Sequence, residues 1–192
     1  KEFSFEKMAK SPAVFNREKL NWYNKRYMMQ MDLGDITKRA IPFFINAGVV
    51  DKTQVDGLEE FEQLKKIVDL ERTRANTLVE LVESVGCMFA KELVYDASLL
   101  VWKKSTKEDA KEKLIGLKSL IETISEDGWE LEGIEKTIKD WMVENEFGTG
   151  DTLWPLRVAL SGQKNSPGPF DLVYVLGKEK VVKRISAAID MI

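Results

Sequence analysis

The chain of 192 residues is 44% apolar and 32% charged, with 29 basic against 32 acidic side chains, the composition expected of a soluble globular protein of one domain or two small ones. No run approaches the roughly 18 uninterrupted apolar residues of a membrane span, and a start at Lys1 followed by Glu2 and Glu6 has no signal-peptide shape, so a cytoplasmic location without a membrane partner is expected. Cys87 is the only cysteine and histidine is absent, which excludes an internal disulfide, makes a zinc cluster implausible and removes every Ser/His or Cys/His nucleophile arrangement.

Apolar residues recur at helical intervals almost throughout, with hardly any sustained alternation of the kind a half-buried strand needs, so the predicted fold class is all-α. After Asn16, a fair N-cap, Leu20, Tyr23, Tyr27 and Met31 fall on one stripe. Asp32 with Asp35 resembles a capping box, and the helix it opens is expected to run through Ile36, Ala40 and Phe43, bend at Pro42 and stop at Gly48. Between Gly57 and Phe89 the residues Leu58, Phe61, Leu64 and Ile67, then Leu78, Leu81, Val82 and Val85, suit two helices meeting near Arg72 to Asn76. Leu93-Val94-Tyr95 hints at a strand too short to found a sheet. Ser105 with Glu108 is a second predicted capping box, followed by Leu114, Leu117, Ile121 and Ile124 before Asp127-Gly128. Leu131, Ile134, Ile138 and Trp141 mark the next helix, and a short one is expected from Leu153 to Leu160 with Gly162 at its end. Residues 163–169 are the clearest turn cluster. Two last helices split near Gly177, the second carrying Val181, Ile185, Ala188 and Ile192. The weakest continuity lies between Val94 and Ser105, which places a subdomain boundary there.

Lys7-Met8-Ala9-Lys10-Ser11 looks at first like the KMSKS loop of class I aminoacyl-tRNA synthetases, whose lysines steady ATP phosphates, yet nothing before Lys7 can supply the nucleotide-binding fold such a site requires. From Lys1 to Met29 there are seven basic residues against three acids, a net +4 in a chain of net −3, which favours an anionic partner near the N-terminus. Acidic runs such as Glu59, Glu60 and Glu62 are expected to be a solvated face and not a catalytic pair. Trp22, Trp102, Trp129, Trp141 and Trp154 are expected in the core or between subdomains before any role as base-stacking platforms.

Three segments, in order, resemble the C-terminal part of bacterial glutamyl-tRNA synthetases. Phe3-Ser4-Phe5-Glu6-Lys7-Met8-Ala9-Lys10-Ser11-Pro12-Ala13-Val14-Phe15-Asn16, leading to Glu18-Lys19-Leu20-Asn21-Trp22, is close to that family's "FSLERVSKSPAVFDxEKLxWLN". Glu71 to Leu81, with Arg74 and Thr77-Leu78-Val79-Glu80, is similar to "ERxKTLKE". Pro155-Leu156-Arg157-Val158-Ala159-Leu160-Ser161-Gly162 is similar to "PLRVALTG", and Leu176-Gly177-Lys178-Glu179 follows as "LGKE". The resemblance spans almost the whole chain. It sets aside the KMSKS reading, because the family's signature loop lies upstream.

What the resemblance implies is a two-subdomain helical anticodon-binding cage behind a short stem segment: residues 1–31 as the stem link, 32–98 and 99–192 as the two subdomains. Arg74 corresponds to the arginine reading the third anticodon base, Arg157 to one contacting the first, and Ser166, Pro167 and Gly168 to the loop around the first two. Ser166 stands where threonine is frequent, keeping the hydroxyl; Asn76 stands where lysine is common, removing one possible phosphate contact. The implied partner is tRNA(Glu), with no DNA and a monomeric state. No catalytic residue, metal or cofactor is expected here; ATP and Mg belong to a catalytic domain outside this sequence. Elementary chemistry agrees, since an unpaired cytosine offers adjacent acceptors that a guanidinium fork satisfies, whereas guanine offers donors there. Two rivals stand beside this expectation: a helical protein-interaction module without RNA recognition, and a small enzyme using carboxylates.

Overall fold

The computed structural model describes residues 14–51 and 57–192, and among them every regular element is helical. The segment Phe3 to Ala13, which carries much of the first resemblance and Lys7 to Ser11, lies outside the described residues. Among the described residues nine α-helices follow one another: α1 (Arg17–Gln30), α2 (Leu33–Asn46), α3 (Leu58–Arg72), α4 (Leu78–Phe89), α5 (Lys107–Thr123), α6 (Leu131–Glu144), α7 (Thr149–Ser161), α8 (Pro169–Leu176) and α9 (Lys178–Met191). The all-α expectation is borne out.

Local chemistry explains most of the boundaries. Asn16 caps α1 by accepting from the Lys19 N–H at 2.9 Å, and Asp32 caps α2 by accepting from Gly34 and Asp35. At the far end of α2, Gly48 adopts φ +66 and donates to Ile45, while Val49 donates to Phe44; this reverse turn satisfies two otherwise orphaned carbonyls and needs a residue that tolerates the left-handed region. Pro42 lies inside α2 on its exposed side, and the helix continues past it to Asn46. Thr77 opens α4 by accepting from the Glu80 N–H at 3.1 Å, and Glu80 returns to Asn76 at 2.8 and 2.9 Å.

Four details differ from the sequence expectation. The capping box of α5 is Thr106 with Asp109, each accepting the other's N–H at 3.1 Å. Ser105 and Glu108 have the same spacing one residue earlier, so spacing alone could not choose. Helix α5 ends at Thr123, and Glu126–Gly128 forms a separate 3-10 turn. Helix α7 begins at Thr149 instead of Leu153, because its first turn is polar and gives no apolar period. Most consequential is α1: Leu20, Tyr23 and Tyr27 are 51%, 44% and 67% exposed, and only Met28 is buried. Trp22 and Met29 also lie outside, so apolar residues ring this helix and no single stripe marks its inner side.

Helices α2, α3 and α4 pack on one another, α5 packs on α7 and α9, α7 and α6 pack on α8, and α3 meets α8. The buried face of α5 is Ala110, Leu114, Leu117 and Ile121. Inside this core sits the buried Arg184 of α9, with no carboxylate paired to it among the described residues; its guanidinium donates to Leu160 O near the end of α7 and to Cys87 O and Ala90 O at the end of α4, the last two at 2.8 Å. Lys180, one turn earlier, donates to Met88 O at 2.6 Å. These carbonyls are the ones a helix leaves without partners at its C-terminus, where partial negative charge also collects. Burial, countered in part by neighbouring Cys87 and Tyr95, lowers the pKa of Arg184 from its ordinary value.

Candidate nucleic-acid interface

Arg74 occupies the α3–α4 junction, a stretch too short to be helical between Arg72 and the Thr77 cap. Its side chain is 47% exposed, while Nη1 lies 3.5 Å from Glu71 Oε2 and Nη2 donates to Asp171 Oδ2 at 3.0 Å. The two carboxylates differ. Glu71 is buried and its Oε2 has no hydrogen-bond donor, the 3.5 Å separation being a charge contact only. Burial raises its pKa above the ordinary carboxylate value, opposed by the neighbouring Ser84 hydroxyl and the charge of Arg74. Asp171 stands in the first turn of α8, where a negative charge is favoured by the helix dipole.

The turn Ser166-Pro167-Gly168 feeds directly into that helix start. Gly168 is the N-cap and Pro169 takes the first helical position, where its missing N–H costs nothing. A Cβ at Gly168 would lie 2.8 Å from Asp171 Oδ2, so the glycine leaves room for the carboxylate that holds Arg74. Pro167 is buried, and the Ser166 hydroxyl donates to Pro167 O at 3.1 Å, which leaves its lone pairs available to accept.

Arg157 projects from α7 one turn after Trp154. Its Cζ lies 4.7 Å from the Trp154 ring centroid, its Nη2 donates to Lys164 O at 2.7 Å, and its Nε is buried with no partner. The Trp154 Nε1–H donates to Leu99 O at 2.7 Å, and the ring meets Trp102 at a centroid distance of 4.5 Å with a 39° tilt. Lys103, held at φ +44, places its Nζ 4.6 Å from the Trp102 ring. Arg157, Trp154, Trp102 and Pro169 line one open cleft of about 270 Å³.

Thus Pro169 faces the Arg157 cleft while Asp171, two residues on, holds Arg74. The start of α8 follows directly on Ser166, Pro167 and Gly168, meets Arg157 through the cleft shared with Pro169 and meets Arg74 through Asp171. Sequence reasoning missed Asp171, Trp102 and Lys103, all distant in the chain from the arginine they serve; Glu71 and Trp154 sit three residues before Arg74 and Arg157 and were readable as helical neighbours. Among the described residues no group of three or more metal-ligating side chains comes together, and no helix is long and apolar enough to cross a membrane.

An all-helical surface with arginines and indoles beside one helix start is the kind of surface on which unpaired nucleobases can be stacked and hydrogen-bonded. The chain belongs to the anticodon binding domain family, whose model matches residues 35–189. It is 35% identical over 193 residues to the glutamate–tRNA ligase of Clostridium tetani, covering 98% of this chain and 37% of that protein. It is 31% identical over 194 residues to glutamate–tRNA ligase 2 of Thermoanaerobacter pseudethanolicus, covering 100% and 38%. A crystal structure of a glutamate tRNA ligase from Elizabethkingia meningosepticum superimposes with a TM-score of 0.77 at 25% identity, over 98% of this chain and 35% of that one. The chain therefore spans a little over a third of the length of the relatives it matches.

Proposed function

We propose that this chain is the anticodon-recognition part of a glutamate–tRNA ligase, and that it binds tRNA(Glu) through Arg74, which reads the third anticodon base, and Arg157, which contacts the first. Ser166, Pro167 and Gly168 flank the first two bases. The catalytic step, with its ATP and Mg, belongs to a domain outside this chain; the proposed setting is cytoplasmic and the proposed state monomeric. Residues 1–31 serve as the stem link, with subdomains at 32–98 and 99–192, a division supported by the packing of α2 to α4 among themselves and of α5 to α9 among themselves.

The observation that carries the reading is the setting of Arg74. Its guanidinium is half-exposed yet held between Glu71 and Asp171. Two carboxylates against one guanidinium leave the locality negative, a poor seat for a phosphate. A neutral base edge bearing acceptors suits it, because one of the five guanidinium donors is engaged by Asp171 and the rest stay fixed in a plane. Cytosine supplies such acceptors at O2 and N3. Guanine would bring donors against donors, leaving groups unpaired at about 1–3 kcal/mol each.

The test is binding of the 192-residue chain to anticodon stem-loop RNAs of tRNA(Glu) whose third anticodon base is C or G. Preference for C of about tenfold or more is expected from one lost contact. Arg74→Gln should remove that preference, because a carboxamide presents both a donor and an acceptor. Equal binding of both RNAs by the unaltered chain sinks the proposal.

A further inference from the structure

A column of two indole rings with a cation at each end runs along the Arg157 side of the cleft: Lys103, Trp102, Trp154 and Arg157, with spacings of 4.6, 4.5 and 4.7 Å. Its order is built in at several points. The Trp154 Nε1–H is tied to Leu99 O, so that ring cannot swing. Trp102 lies so close to α7 that a Cβ on Gly150 would come within 2.4 Å of its Nε1; only a glycine admits the ring there. Lys103 keeps its place at φ +44, a conformation uncommon for a side-chain-bearing residue.

The column ends in the guanidinium of Arg157. One of its faces lies on Trp154, one edge is bound to Lys164 O, and Nε is buried without an acceptor. A half-exposed arginine normally samples many rotamers, and ordering it on binding opposes affinity. Here the ring beneath and the carbonyl at the side have already fixed the plane. Arg157 lines the open cleft beside Trp154 and Trp102, and a guanidinium plane is a good stacking partner for an unpaired base.

We propose that Trp154 and Trp102 are positioning residues for Arg157: they hold its guanidinium as the last layer of a stack on which an unpaired nucleobase of the anticodon loop lies. This rests on the reading of the chain as an anticodon binder, and it adds a division of labour. Arg74 discriminates by base edge. The Arg157 column grips by base face, which every nucleobase has, so its contribution to affinity is indifferent to which base is present.

The experiment compares the 192-residue chain with Trp154→Leu, Trp102→Leu, Trp154→Phe and Gly150→Ala, each binding an anticodon stem-loop RNA with 2-aminopurine at the first anticodon position or with each natural base there. In the complex with the unaltered chain, 2-aminopurine emission should be quenched by stacking. Both leucine variants should bind about tenfold more weakly, by the same factor for every first base, and should restore the emission at saturating protein. Trp154→Phe keeps a ring under Arg157 and should recover most of the affinity. Gly150→Ala removes no aromatic atom yet displaces Trp102, and should weaken binding while the fold persists by circular dichroism. Full affinity in both leucine variants, a loss confined to one first base, or an unquenched probe in the unaltered complex overturns the stacking proposal. If the unaltered chain binds no RNA or ignores the third base, it is the anticodon reading itself that falls.

Discussion

Replacing Arg184 with methionine keeps an unbranched apolar stem, shorter by the guanidinium end, and removes every donor from a buried junction of two helix ends. Three carbonyls, Leu160 O, Cys87 O and Ala90 O, then lose their charged donor. At about 1.5–3 kcal/mol for each bond to a charged group the gross loss is roughly 4–9 kcal/mol. The guanidinium's own burial offsets several kcal/mol of that, consistent with its lowered pKa, and leaves a net cost of about 3 kcal/mol. For a chain of this size each kcal/mol shifts the melting temperature by roughly 2–4 °C, so the midpoint should fall by about 6–12 °C. Because the bonds join α4 to α7, the halves of the molecule should also unfold less cooperatively, broadening the calorimetric transition relative to its enthalpy. Arg184→Lys, with one compact ammonium in place of a planar fork, should lie between. A methionine variant melting within about 1 °C of the unaltered chain would refute the reasoning, since the carbonyls would then be served equally well without Arg184.

Glu71 has a folded pKa above its ordinary 4.5. A raised value means that its contribution to stability is complete below pH 4.5 and is lost as the pH climbs through the folded value; Glu71→Gln should therefore gain in urea midpoint relative to the unaltered chain between acid and neutral pH, and a constant difference would contradict this. Gly177 adopts φ 76 and ψ 157 with nothing near its missing Cβ, so Gly177→Ala should cost about 1–3 kcal/mol by backbone strain alone. Gly86, inside α4 with equally open space, is the control: alanine there should stabilise by about 0.4–1 kcal/mol in chemical denaturation. In RNA titrations at several salt concentrations, Arg74→Gln should leave the slope of log affinity against log salt unchanged, whereas the loss of a true phosphate contact would reduce it by about 1.

Chain-local chemistry made much of this fold legible before any coordinates. Asn16, Asp32 and Gly162 mark helix ends because caps and left-handed stops act within four residues of themselves. The buried face of α5 was readable because one helix side packs on α7 and α9 while the other is charged. The orientation of α1 was not readable, since aromatic and apolar residues surround it and its inner side is set by partners far along the chain: Asn76, whose carbonyl accepts from Asn24, and Arg72, which donates to Met31 O at 3.4 Å. The site divides in the same way. Both arginines, with their neighbours Glu71 and Trp154, lie on short recognisable segments, but Asp171 is 97 residues from the arginine it holds. No period or spacing links them.

That long-range contact changes what Arg74 can do. Alone, an exposed arginine attracts any anion, and a phosphate backbone offers one at every nucleotide, so it would add affinity without choice. Flanked by Glu71 and Asp171, the same side chain has its attraction for a phosphate offset by the carboxylates and retains its directional donors, which a neutral base satisfies or fails to satisfy according to its edge. Arg157 reaches the complementary condition by another route, with an indole in place of a carboxylate and a carbonyl in place of a second charge. Two residues of one type thereby acquire different chemistry, and under the proposed function the difference assigns selection to the α3–α4 junction and grip to the α7 cleft. Gly168 lies beside both, and the Cβ it lacks would crowd, at 2.8 Å, the Asp171 carboxylate oxygen that reaches Arg74.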